Sequence, residues 1–247
     1  MLEGKSIESI SSKIKSHELK SEDVVKFFLN KIKQYNKDLN AIVSLRDETE
    51  IISEAKEKDR SIDNGNEIGL LHGMPLAIKD ITDVKELPTS FGCREYKNNF
   101  PDEDSIISKR LKKEGAIIIG KTNTAELAYG SQTSNRLFGS THNPYDITKT
   151  AGGSSGGAAA AVSSGMLPLA DGTDMMGSVR NPAAYCNLYG FRPTPGLIPE
   201  KRTEVSDIKY PLLSTAHKPQ IVCLAVLTIH MISLKLQVAQ VVALLPR

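Results

Sequence analysis

Cysteine is scarce in this 247-residue sequence, and the three present, Cys93, Cys186 and Cys223, stand at no spacing typical of a disulfide framework or a metal site. That leaves reduced core thiols, the usage of a cytoplasmic protein, with no metal or other cofactor expected. An excess of one charge is also lacking. Lys and Arg number 31 against 29 Asp and Glu, so no direct nucleic-acid partner is implied. The opening residues MLEGKSIESISSK hold no apolar run, so no signal peptide is expected. Internal repeats and low-complexity tracts are absent, which sets aside repeat architectures and long linkers. Acidic residues stop at Asp207 and glycines at Gly196, while Lys209, Lys218, Lys235 and Arg247 follow, so the end of the chain differs in kind from its body.

What is present suits a buried core, since 40% of residues are apolar. Ile7, Ile10 and Ile14 recur at helical spacing, and Ser21 reads as the N-cap of a second surface helix, EDVVKFFLNKIKQYN. Ala41 to Leu45 is a short strand candidate, and Glu48 to Arg60 is a charged helix whose Ile51, Ile52 and Ala55 face inward. Ser12 and Lys15 form an S-x-x-K pair, but in SSKIKSHELK they belong to a solvated face. From Ser105 a helix of alternating apolar and basic residues ends at Gly115, and AIIIG follows as a buried strand. That rhythm is βαβ-like, so an α/β fold is expected.

Candidate chemistry gathers at two places. The apolar run LLHGMPLAIKDI ends in Lys79, and an ammonium group at the end of a buried strand is costly unless it loses its proton or pairs, here with Asp80. His72, His142, His217 and His230 each stand alone and read as structural. The stretch Thr150 to Pro182 holds Ser154 and Ser178 in glycine-rich turns, joined by an apolar helix at Ala158 to Val162. GGSSGG lacks the Lys-Ser/Thr ending of a phosphate-binding loop. Gly152 to Gly156 fits G-x-S-x-G, with Ser154 as nucleophile and His217 as a late base, but that turn follows a strand and DITKTA reads as a polar loop. The polar segment before it, including Ser131, Gln132 and Thr133, is either a substrate-contact loop or a plain connection.

Taken together, GMPLAIKD, GKTNTAELA, NPYD, GGSSGG, GTDMMGSVRNPA and CNLYGFRPTPGLIP resemble the amidase signature family, over roughly residues 5 to 202. The resemblance implies the N-terminal part of that α/β fold, a mixed β-sheet flanked by helices, with residues 1–216 as a partial catalytic domain, and hydrolysis of a small carboxamide to acid and ammonia. It places the nucleophile on Ser178, the bridging serine after a cis peptide bond on Ser154, and the base on Lys79. It places the oxyanion hole on the backbone N–H groups of Met175, Met176, Gly177 and Ser178, with Asp174 and Arg180 supporting the turn. Within the family the likeness is nearer to general bacterial amidases than to the glutaminase subunit of the tRNA-dependent amidotransferase. That glutaminase, working with partners, is the alternative reading; a truncated, inactive homologue that only binds amides weakly or interacts with other chains is another. Association with a second copy or a partner subunit fits either.

Two departures stand out. The family has two glycines before the nucleophile, and Met176 occupies the first; a positive φ there would strain the turn, a negative one would only narrow the acyl pocket. After Ala216 the resemblance lapses into IVCLAVLTIHMISLKLQVAQVVALL. Residues 217–247 are expected to be a frameshifted or truncated end. The alternatives are a patch on an exposed sheet edge or a membrane span, the last disfavoured by His230, Lys235, Gln237 and Gln240.

Overall fold

A computed structural model describes residues 2, 4–194, 198 and 223–225 of the chain. Two helices come first, α1 (Ile7–Lys15) and α2 (Ser21–Leu39), and then strand β1 (Ile42–Leu45) and helix α3 (Glu48–Asp63). Strand β2 (Pro75–Lys79), helix α4 (Ile106–Lys113) and strand β3 (Ile117–Thr122) form a β-α-β unit. The strands order as β1-β3-β2, with β2 parallel and β1 antiparallel to β3. This is the mixed sheet expected.

The sheet is buried on both faces because its side chains alternate between two apolar layers. Leu76, Ile78 and Ile118 pack with Ile10, Ile14, Phe28, Ile107 and Leu111 on one side. Ala77, Ile117 and Ile119 pack with Leu29, Ile32, Ile51 and Ala55 on the other, where they meet Ala158 to Ala161 of helix α5 (Gly156–Ser163). Ser12 and Lys15 are exposed on α1, a solvated face as read.

One cap differs from expectation. Ser21 is the first residue of α2, not its cap; the Asp59 carboxylate, 38 residues on, accepts from the backbone N–H groups of Ser21 at 2.6 Å and of Glu22 at 3.2 Å. A negative side chain near the positive end of the helix satisfies those donors as a serine cap would.

The segment after β3 is more ordered than a plain loop. It forms paired two-residue strands β4 (Ser134–Asn135) and β5 (Gly139–Ser140), and a ribbon of β6 (His142–Asn143) with β7 (Asp146–Thr150). DITKT, read as a polar loop, is therefore a strand: it is polar because the ribbon faces solvent along its length. Strand β8 (Ala170–Gly172) lies beside β2 and pairs antiparallel with β9 (Cys223–Ala225), and α6 (Arg180–Tyr185) follows. Apart from β9, the tail at 217–247, with His217 and His230, lies outside the described residues. Among the described residues no helix is long and apolar enough to cross a membrane.

Candidate active site

Strand β2 delivers Lys79 to the carboxyl end of the parallel pair, in register with Thr122 of β3. This is where open α/β sheets leave room for ligands. Lys79 is fully buried. Its Nζ donates to Ser154 Oγ at 2.7 Å and to Thr173 Oγ1 at 2.8 Å. Pairing with Asp80 does not occur, because Asp80 is engaged by Ser90, whose N–H donates at 2.9 Å and whose hydroxyl donates to the other oxygen. Burial pushes the Lys79 amine down to about 7, against the pull of Asp171 and Asp174.

Ser154 is equally buried and follows a cis peptide bond from Gly153. Its turn is clamped by the preceding segment. The Ser154 carbonyl accepts from Ala125 N–H and from Thr133 Oγ1, each at 3.2 Å, and Thr133 Oγ1 accepts from Gly156 N–H at 2.7 Å. A Cβ at Gly153 would lie 2.6 Å from the Gln132 carbonyl carbon, so only glycine fits this approach. Of the three candidate contact residues, Thr133 is thus buried in the turn, while Ser131 and Gln132 are exposed. An exposed nucleophile after a buried strand, as the G-x-S-x-G elbow requires, is not what these residues build: Ser154 is buried and β7 is a solvent-facing ribbon.

Ser178 is half-buried, and its carbonyl accepts from Ser155 N–H at 3.0 Å, which ties the two serine turns together. Its hydroxyl has no hydrogen-bond partner among the described residues, so the contact from Lys79 ends at Ser154. Asp174 organises this second turn. It takes two bonds of 2.9 Å from the Arg180 guanidinium and accepts from the N–H groups of Gly177, Val179 and Arg180. Burial would raise this carboxyl; those donors outweigh it and hold it at about 2. Arg192 adds a bond to the Asp174 carbonyl at 3.2 Å.

Among the four backbone groups expected to line an oxyanion hole, Gly177 N–H is committed to Asp174 at 2.8 Å. Those of Met175, Met176 and Ser178 have no partner among the described residues. Gly177 adopts φ +107°, whereas Met176 is outside the left-handed region and is 83% exposed. The strain considered for Met176 is therefore absent, since the turn puts its positive φ on the following glycine.

Residues not singled out from sequence complete the site. Asp171 is buried, and its Oδ1 accepts from Lys79 N–H at 2.6 Å. Thr173 and Ser155 join the two turns. Lys121, also fully buried, donates to Thr82 O at 2.6 Å and Thr89 Oγ1 at 3.0 Å. His72 is a satisfied structural histidine on Lys58 O at 2.9 Å. Of the described residues, Cys93, Glu95 and Glu126 could offer a metal three ligand atoms within 4.8 Å of one another; Cys93 Sγ donates to Glu95 at 2.7 Å, which accounts for the closeness of those two. A polar cleft of about 830 Å³ beside α3 shares no residue with the serine turns.

A family model described as Amidase matches residues 23–216. The chain belongs to the amidase family. Its sequence is 42% identical over 192 residues to the A-type subunit 2 of the glutamyl-tRNA(Gln) amidotransferase of Clostridium acetobutylicum, a match spanning 78% of this chain and 40% of that protein. It is 40% identical over 191 residues to an acylamidase of Rhodococcus erythropolis, with 77% and 40% covered. Among amidase structures, a bacterial aryl acylamidase described as an amidase signature enzyme superposes with TM-score 0.76 at 35% identity, over 80% of this chain and 41% of that one. The A-type subunit of the glutamyl-tRNA(Gln) amidotransferase from Thermotoga maritima superposes with TM-score 0.62 at 34% identity, over 72% and 36%. Identity therefore does not rank the two branches, and superposition favours the acylamidase. The chain spans about 40% of the length of the amidase relatives it matches.

Proposed function

We propose that this chain carries the reacting groups of a hydrolase that converts a small carboxamide to a carboxylic acid and ammonia. Ser178 is the nucleophile, Ser154 the bridge and Lys79 the base. The observation that carries the reading is the 2.7 Å contact between Lys79 Nζ and Ser154 Oγ, with both groups out of water. A serine hydroxyl is a poor nucleophile until a base takes its proton, and an amine held near 7 is neutral often enough at physiological pH to do so.

As Ser178 Oγ bonds to the amide carbon, its proton passes to Ser154 and that of Ser154 to Lys79. The relay reverses to protonate the leaving nitrogen as the C–N bond breaks, and water then hydrolyses the acyl ester by the same route. Catalytic hydrogen bonds commonly tighten only with substrate bound, so the Ser154–Ser178 link is expected to close on acylation. The N–H groups of Met175, Met176 and Ser178, which have no partner among the described residues, are the available oxyanion donors, and Asp174 with Arg180 holds their turn. The relay as proposed calls on no cofactor or metal.

Residues 1–216 form the catalytic portion and 217–247 a divergent segment, a division supported by the family match ending at 216. Two buried free thiols suit a reducing compartment such as the cytoplasm. The similarity to the amidotransferase's A-type chain favours a second reading, ammonia release from glutamine within a multi-subunit complex.

Ammonia release from a panel of simple amides, lost in Ser178→Ala, tests the proposal, together with fluorophosphonate labelling mapped to Ser178. A folded chain that neither releases ammonia nor is labelled refutes it. Glutamine turnover that appears only with partner subunits selects the second reading.

A further inference from the structure

Among the described residues, five charged side chains lie buried around the end of β2: Lys79, Asp80, Lys121, Asp171 and Asp174. Four have their polar atoms engaged. Lys79 reaches Ser154 and Thr173, Asp80 takes Ser90, Lys121 reaches Thr82 and Thr89, and Asp174 takes Arg180. Asp171 differs: Oδ1 accepts from the Lys79 backbone N–H at 2.6 Å, and Oδ2, equally buried, has no partner among the described residues. Nothing in the proposed relay uses this carboxylate.

We propose that Asp171 is a positioning residue of the site, whose carboxylate pins the end of β2 and governs the proton held by Lys79. The inference rests on the function proposed above only for the role given to Lys79. A carboxylate bound to the lysine's own backbone acts on its amine through a dry interior, where charge is weakly screened.

Among the described residues, the other charges acting on the pair are few. Lys121 of β3 acts on Asp171 by its charge, Asp174 from the turn after β8 acts on Lys79, and Asp80 and Asp83 act on Lys121. Helix α5, packed on β8, offers no titratable side chain. Burial drives Asp171 up to about 6, against the Lys79 N–H and the charges of Lys79 and Lys121, so it gains its proton within reach of neutral pH. With Asp171 ionised Lys79 keeps its proton to higher pH; with Asp171 neutral it releases it sooner.

The test follows Lys79 by NMR in the full chain carrying 13Cε-lysine, with the resonance assigned by its loss in Lys79→Met. In Asp171→Asn the Lys79 midpoint is expected to fall by about one pH unit, a tenfold change in acidity, and in Asp171→Glu to return toward wild type. A midpoint within about 0.2 units of wild type in Asp171→Asn overturns the proposal. Should Asp171→Asn not fold, the wild-type chain decides. Its Lys79 resonance is expected to show a second inflection at the Asp171 midpoint, read separately from 13Cγ-aspartate. A single inflection, or an Asp171 midpoint in the ordinary carboxylate range, overturns it. Coupling observed in a chain that fluorophosphonate does not label at Ser178 leaves this inference standing while the hydrolase reading fails.

Discussion

The amine of Lys79 and the hydroxyl of Ser154, 75 residues apart in sequence, meet at 2.7 Å in a place neither shares with water. Strand β2 ends there because parallel pairing with β3 sets its register, and the Ser154 turn is held above it by Thr133 and Ala125.

The rate of Ser178 labelling by fluorophosphonate is expected to rise with pH through about 7, as Lys79 loses its proton, and to level off above. Lys79→Arg, which stays charged, should lower the rate by about 10²–10⁴-fold with no such rise. Stopped labelling at a series of pH values reads both effects.

Stability carries its own pH signature. Between about 7 and the ordinary lysine value, the unfolded chain holds a proton at Lys79 that the folded chain lacks, so stability rises with pH across that window. Asp171, raised to about 6, acts in the opposite sense: from the ordinary carboxylate value up to 6 the folded chain holds the extra proton, and stability falls as pH rises. Urea melts of wild type should show both slopes, and Lys79→Met should flatten the alkaline one. An unchanged alkaline slope would contradict the buried neutral amine.

Asp174→Ala removes the acceptor for the Gly177, Val179 and Arg180 N–H groups and for the Arg180 guanidinium. It is expected to cost about 3–5 kcal/mol of stability by chemical denaturation. Wild type should also lose the contribution of Asp174 as pH falls from the ordinary carboxylate range toward 2, because its folded value lies at about 2.

Gly177→Ala places a Cβ at φ +107°, 2.8 Å from Asn181 Oδ1. A loss of about 1–2 kcal/mol, with slower Ser178 labelling, is expected. Met176→Gly, at an exposed position without positive φ, should label within about twofold of wild type and lose only about 0.4–1 kcal/mol. The reverse order would mean that the turn needs its flexibility one residue earlier.

Periodicity made the sheet and its helices legible. AIIIG is too apolar to be anything but buried, SIISKRLKK alternates at helical spacing, and Lys79 stands out because a charge ends an apolar run. The serine turns were legible from their glycines and from the family likeness. DITKT misled because an exposed two-stranded ribbon is polar throughout, and Ser21 because its helix is capped by Asp59, 38 residues later.

The sequence by itself determined the α/β framework, the family and the candidacy of Lys79, Ser154 and Ser178, since these follow from local pattern and short motifs. Only the tertiary structure decided that Lys79 faces Ser154 and not Asp80, that Gly177 N–H is taken by Asp174, and that Asp171 sits under the lysine. Those are contacts between residues far apart in sequence or oriented by a turn, and no local periodicity encodes them. Burial then fixes their charge, because what a side chain costs in its charged form depends on what surrounds it once the chain has folded.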